Sequence, residues 1–330
     1  MTFQKAQESG FLLSENSVKK IATDVYRQYR IAEKTILEEL AKLYGKMSSL
    51  APEDYYNFAI QLDRLKKLLE EVRRQYTFYS KKAGGLIAKS GEVAFTENYY
   101  RQQYVLTYFS PRVDVDLSFT LLNDDLVNYA VTGLPEHWKK IPKKFDRKLY
   151  TPKYGTLSEI LVNNRVNEIN KVSTAITQQL ILGKSFPNTA SRLKGVFGDS
   201  RYNALRVIRT ESTRLLNQGA FTNSINAIEQ GLDITKQWLA TLDIRTRNTH
   251  GALDGKEADV KGYFKIGSDR ALYPGDFSLA KNNIHCRCSY IDKIKELPIT
   301  VRRGKDPITN KNKVFSWRNY NTWLNSNIQS

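Results

Sequence analysis

Two of the three histidines of this 330-residue chain and both of its cysteines fall in the last third. In order, the residues able to do chemistry there are Arg209-Thr210-Glu211, Asp243-Ile244-Arg245-Thr246-Arg247, His250, Leu253-Asp254-Gly255, Pro274-Gly275-Asp276 and His285-Cys286-Arg287-Cys288. Two chemistries follow from these types. A histidine, an arginine and a carboxylate held together suit acid–base attack on a phosphodiester; Glu211, Arg245 and His250 are the residues for a nuclease-like or toxin-like enzyme. His250, His285, Cys286 and Cys288 carry the nitrogen and sulfur ligands that zinc takes. On a regular strand the Cα atoms of Cys286 and Cys288 lie about 6.5–7 Å apart. That is wide for two thiolates on one ion with Zn–S bonds of about 2.3 Å, unless the chain kinks at the start of the strand. Two small buried apolar groups are the alternative, and a disulfide across Cys-x-Cys would be strained.

Glu211 lies three or four positions from Val207, Ile208 and Leu215, beside an apolar stripe. A carboxylate there needs a cationic or hydrogen-bonding partner. Arg245 or Arg247 is the expected partner, and an ion pair fixing helix against sheet is the expected role. No Gly-rich phosphate loop, HExxH, hydrolase elbow or kinase signature is present.

These residues need a mount. Val18, Ile21, Val25, Tyr29, Ala32, Ile36, Leu40 and Leu43 recur at spacings of three and four, which predicts a long helix capped at Asn16 or Ser17 and ended by Gly45. Pro52 opens a second helix whose seam is Phe58, Leu62, Leu65, Leu69, Val72, Tyr76 and Tyr79, stopped by Gly84-Gly85. The short connection makes the two an antiparallel hairpin, each arm about 40 Å long. Tyr99, Tyr100, Tyr104 and Tyr108 recur near helical spacing, suited to packing or to stacking on bases. Val113, Val115, Leu117 and Phe119 alternate as a short strand would. A helix over 156–182, a short one ending near Gly198 and a long one from about Ser200 to Gln230 follow. Strands are expected around Trp238 and around Cys286–Tyr290.

The composition narrows the class. With 41% apolar residues the chain can bury a core, and no run of about 18 apolar residues predicts a membrane span. The N-terminus lacks the apolar stretch of a secretory leader, and two cysteines make no disulfide framework, so synthesis in a reducing cytosol is expected. The net charge is +17; such an excess favours a polyanion partner. Two stretches concentrate it. One holds Lys139, Lys140, Lys143, Lys144, Arg147 and Lys148, a nucleic-acid contact or else a solvated hinge; the other is a tail containing Arg302 and Arg303, a mobile arm that orders on a partner and is expected to contact nucleic acid.

An RTE helix, then K-x-W-x-A-T-L-D-x-R-T-R-x-x-H-x-x-L-D-G, then Y-P-G-D and C-R-C, resembles the Mu F-like, or phage head morphogenesis, family of minor head proteins of tailed bacteriophages. The resemblance covers about residues 200–292 and more weakly 154–199; His285 departs from it, since Asn before the first Cys is common. It implies an α+β fold in which one long helix packs on a small, mostly antiparallel sheet behind a helical N-terminal region. The implied division is 1–153 helical with a basic linker at its end, 154–199 lead-in, 200–295 Mu F-like and 296–330 basic tail. It implies Arg209, Glu211, Trp238, Asp243, Arg245, His250, Gly255, Gly275, Cys286, Arg287 and Cys288 as a structural framework, with no catalytic residue. It further implies a non-enzymatic virion protein, made in the host bacterial cytoplasm and held in the head interior. Portal protein, capsid interior and double-stranded DNA are its implied partners, with a role in head morphogenesis and genome delivery. A zinc-stabilised adaptor is a third reading.

Overall fold

The computed structural model describes the backbone of residues 3–61, 63–143, 145–295, 297, 301–306, 312–316 and 319–328. Side chains are described over the same residues apart from 3–17, 60–61, 301, 303, 305, 312–315 and 326–328. The fold is α+β. Its helices are α1 (Phe3–Gly45), α2 (Tyr55–Gln61), α3 (Arg64–Phe109), α4 (Asp124–Thr132), α5 (Pro135–Trp138), α6 (Leu157–Ile181), α7 (Phe186–Glu229), α8 (Asn248–Gly251), α9 (Ala280–Asn283) and α10 (Tyr320–Ile328). Its strands are β1 (Thr235–Leu239), β2 (Phe264–Ile266), β3 (Asp269–Ala271), β4 (Ser289–Lys293), β5 (Val301–Lys305) and β6 (Asn312–Ser316). No described helix is long and apolar enough to cross a membrane.

The chain divides into two compact units, Lys19–Ala88 with Ser158–Ile208, and Met1–Val18 with Lys89–Leu157 and Arg209–Ser330. The divisions fall within or beside long helices.

The first unit is helical. Val25, Tyr29, Ala32, Ile36, Leu40 and Leu43 of α1 are buried, as the heptad spacing predicts, and so are Leu65, Val72 and Tyr76 of α3. Leu62 lies outside the described residues. Tyr29 and Tyr76 meet edge to face at 6.2 Å, and the Tyr29 hydroxyl donates to Glu168 of α6 at 3.3 Å. Three expectations change here. α1 begins at Phe3, upstream of Asn16 and Ser17. The second arm breaks at Asp63, whose φ is 51°, so Pro52 opens only a 3-10 turn and α2. α3 passes through Gly84-Gly85 and continues to Phe109, because Ala83, Ile87 and Phe95 keep its apolar face buried. Gly84 serves packing: a Cβ there would lie 3.0 Å from the Leu161 side chain.

The second unit holds the residues that could do chemistry. The final part of α7 (from Arg209) runs through it. α7 is one continuous helix from Phe186, spanning Gly195 and Gly198, so the expected short helix and long helix are a single element. Among the described residues the strands form three two-stranded antiparallel ladders in place of one small sheet, β1 with β4, β2 with β3, and β5 with β6. Trp238 stands opposite Tyr290 in the first. Its core is Phe221, Trp238, Phe264, Tyr273, Phe277, Cys286, Cys288 and their neighbours. The expected strand at Val113–Phe119 is absent; the segment leaves a 3-10 turn as extended coil and packs Leu117 beside Val105 and Leu106. The tail is not a free arm over its described residues: Tyr320 and Trp323 are buried against Leu242.

Candidate functional site

Helix α7 presents Glu211 and Arg214 one turn apart, and both are almost wholly buried. Arg214 donates to Glu211 Oε2 through Nε (3.0 Å) and Nη2 (2.7 Å), to Gln218 Oε1 and to the Ala130 carbonyl. Tyr154 also donates its hydroxyl to Glu211. Burial, and next the Glu211 charge, push the Tyr154 hydroxyl well above its usual range, so it stays a donor. Glu211 is therefore a satisfied acceptor in a closed site. Its partners are Arg214 and Tyr154 in place of Arg245 or Arg247. The E-x-x-R spacing, one helical turn, was the signal for Arg214; nothing local marks Tyr154.

The loop after β1 carries Asp243. It accepts from the Arg245 amide at 2.9 Å and from Arg287 through both guanidinium nitrogens, Nη2 at 2.7 Å. Arg245 Nη2 adds a bond at 3.2 Å but is largely exposed. Burial raises the Asp243 carboxyl; the Arg287 hydrogen bond and charge, with Arg245, outweigh it and hold the group below the usual carboxylate range. Arg247 donates to the Ile284 carbonyl. These arginines tie the β1 loop to the segment entering β4.

His250 lies on α8 with its ring against Trp238 (centroids 5.6 Å, nearly perpendicular) and Phe277 (6.3 Å). Its Nδ1 stands 3.5 Å from Cys286 Sγ and 3.4 Å from Cys288 Sγ. The three donor atoms lie within 4.8 Å of one another, and all three residues are buried. The cysteines precede β4 and do not lie on it. His285, with φ 57°, and a turn bond from the Cys286 amide to the Asn283 carbonyl (2.9 Å) kink the chain there. Thr213 Oγ1 donates to the Cys286 carbonyl and Asn217 Nδ2 to the Cys288 carbonyl, so α7 fixes the backbone of both. Hydrogen bonding with Cys288 holds the Cys286 thiol below its usual range, against burial and with Arg247 and Arg287 assisting. The Cys286 sulfur, then burial, push Cys288 well above it. His285 stands outside this group.

Glu211, Arg245 and His250 are not bonded to one another. Each has its own partners, and among the described residues no hydrogen bond or ion pair joins any two of them. Arg209 is exposed. Gly255 bonds its amide to the Trp238 carbonyl with φ 76°, and Gly275 (φ 100°) lies so close to α7 that a Cβ would meet Arg214 Cα at 2.8 Å.

Residues 170–291 fit the family described as Phage Mu protein F like protein. The chain carries a Mu F-like segment. The chain is 28% identical over 274 residues to minor head protein GP7 of Bacillus phage SPP1, covering 82% of this chain and 80% of GP7. It is also 27% identical over 331 residues to the NAD(+)–arginine ADP-ribosyltransferase EFV of Enterococcus faecalis, covering 99% of this chain but only 60% of that protein. No solved structure matches.

The basic stretches meet different fates. Lys139, Lys140, Lys143, Arg147 and Lys148 are exposed, although Arg147 Nε also donates to the Tyr129 hydroxyl (2.8 Å). Lys144 and the Arg303 side chain lie outside the described residues. Arg302 is fully buried and paired with Asp254, so it is no surface contact for nucleic acid. Of the tyrosines, Tyr99 is core, whereas Tyr104 and Tyr108 are exposed and stacked on each other at 6.2 Å.

Proposed function

We propose that the protein is a minor head protein of a tailed phage or prophage, held in the virion head against the portal and capsid interior and contacting packaged DNA. The observation that carries this reading is the match, over 82% of the chain, to a protein named as a minor head protein. The chemistry of the chain agrees with it. Glu211 is satisfied by Arg214 and Tyr154, and Asp243 pairs with Arg287, as residues of a structural framework do. The net charge of +17 and the exposed Lys139, Lys140, Lys143 and Lys148 suit a phosphate-rich interior.

The name of the second relative favours one other reading, transfer of ADP-ribose. Two-fifths of that protein has no counterpart in this chain, and our proposal assigns the transferase chemistry to that part.

Binding and activity assays on the full chain separate the readings. Double-stranded DNA should be retained without sequence preference at low salt. Changing the four lysines to Gln should lower the log–log salt slope by about 0.9 for each one that touches phosphate. Neither DNA cleavage nor NAD-dependent labelling of arginine should appear, and His250→Ala should change neither. Absence of DNA retention at low salt removes the DNA contact, and turnover lost in His250→Ala removes the non-enzymatic reading.

A further inference from the structure

We propose that His250, Cys286 and Cys288 bind a zinc ion that joins α8 to the entrance of β4. The geometry carries this. With Zn–N bonds of about 2.0–2.1 Å and Zn–S bonds of about 2.3 Å, the N-to-S edge of a tetrahedral site is about 3.5 Å. His250 Nδ1 lies 3.5 Å from one sulfur and 3.4 Å from the other. The regular-strand spacing that argued against two thiolates on one ion does not apply, because the kink at His285 takes both cysteines out of the strand.

Hydrogen bonding alone would have Nδ1, which is either one donor or one acceptor, satisfy one sulfur, and that sulfur bond the other. A zinc ion satisfies all three atoms together and accepts both cysteines as thiolates. The Cys288 amide is also placed to donate to Cys286 Sγ, at 3.4 Å, as a negative sulfur requires. The site is buried beneath Trp238 and Phe277, where two thiolates need a cation nearby. Sulfur and imidazole donors select zinc over magnesium or calcium, which take oxygen. Three protein ligands leave one coordination position, and in this assignment a water takes it. With all three ligand residues buried, the role is structural. Two segments that are 36 positions apart in sequence would share one ion.

This inference stands independently of the virion reading, and metal analysis tests it. The full chain, purified under reducing conditions without chelator, should carry about one zinc per chain. Cys288→Ser and His250→Ala should each lose it while keeping the far-ultraviolet helical signal. Should those variants fail to fold, the unaltered protein still decides. Its two thiols should be unreactive with zinc bound and titrate as two after chelation, its melting temperature should fall on chelation and return with added zinc, and cobalt in place of zinc should show thiolate charge-transfer absorption. Reduced protein that retains no zinc after loading and desalting overturns the proposal. So do variants that keep a full equivalent, copper in place of zinc, or an oxidised Cys286–Cys288 pair in freshly purified protein.

Discussion

Arg302 reaches back 48 positions in the chain to pair with Asp254, and both side chains are completely buried. Asp254 accepts from Arg302 Nη2 at 2.7 Å, from the Ala240 amide at 2.7 Å and from the Tyr320 amide, while Arg302 also donates to the Ala240 carbonyl. One buried pair therefore binds the end of β1, the loop after α8, β5 and the start of α10. Removing one partner leaves an uncompensated buried charge, which costs about 3–5 kcal/mol. Arg302→Ala and Asp254→Ala should each lower unfolding stability in urea by that amount. The double variant should lose less than the sum of the two. A loss under about 1 kcal/mol for Arg302→Ala, within the range of exposed pairs, would mean that the tail does not depend on this contact.

Asp243 gives a pH signature of the opposite end of the β1 loop. Its folded pKa is depressed by Arg287 and Arg245 against the opposing effect of burial. A depressed carboxyl stabilises the fold above its unfolded value, near 3.8, and that contribution is lost as the pH falls through the lower folded value. Asp243→Asn should therefore reduce stability at neutral pH and flatten the acid limb of the stability curve below pH 3.8. An acid limb unchanged by the substitution would contradict the Arg287 pairing.

Asp292 on β4 should behave in the reverse sense. Burial raises it to about 6, with hydrogen bonds from Ser224 and Gln102 only partly offsetting that. A raised carboxyl favours the fold while protonated, below 3.8, and the advantage is lost as the pH rises through about 6. Asp292→Asn keeps an acceptor without the charge. It should stabilise the chain at pH 8 by roughly 2–3 kcal/mol, taking about 1.4 kcal/mol for each pKa unit, and change little at pH 3.5. Thermal melts at the two pH values check the sign; a loss at pH 8 would contradict it.

Much of this was legible in the sequence, for identifiable reasons. The heptad seam of α1 is a local periodic signal, and Val25 to Leu43 are buried where it places them. Helix ends are less legible, because Gly84, Gly85 and Gly198 read as stops. Burial of neighbours such as Ala83 and Ile87 overrides the weak propensity of a glycine. The framework types at Glu211, Asp243, His250 and Cys286–Cys288 were legible as types, but their pairing was not. Glu211 finds Tyr154, 57 positions away, and Asp254 finds Arg302; no spacing rule encodes such long-range choices. Arg302 was assigned to solvent because it stands in a run of positive charge, yet one buried carboxylate was enough to draw it inside. The sulfur–imidazole cluster was masked by the assumption of a regular strand, which the positive φ at His285 breaks.

The proposed function makes this chain a component of the phage head. Quantitative mass spectrometry of DNA-filled particles, purified by density gradient from cells carrying the encoding phage or prophage, tests it most directly. Peptides of this chain should copurify with the capsid shell at a small, constant copy number and persist after surface proteolysis of intact heads. Particles that contain the shell and portal but none of this chain would contradict the account.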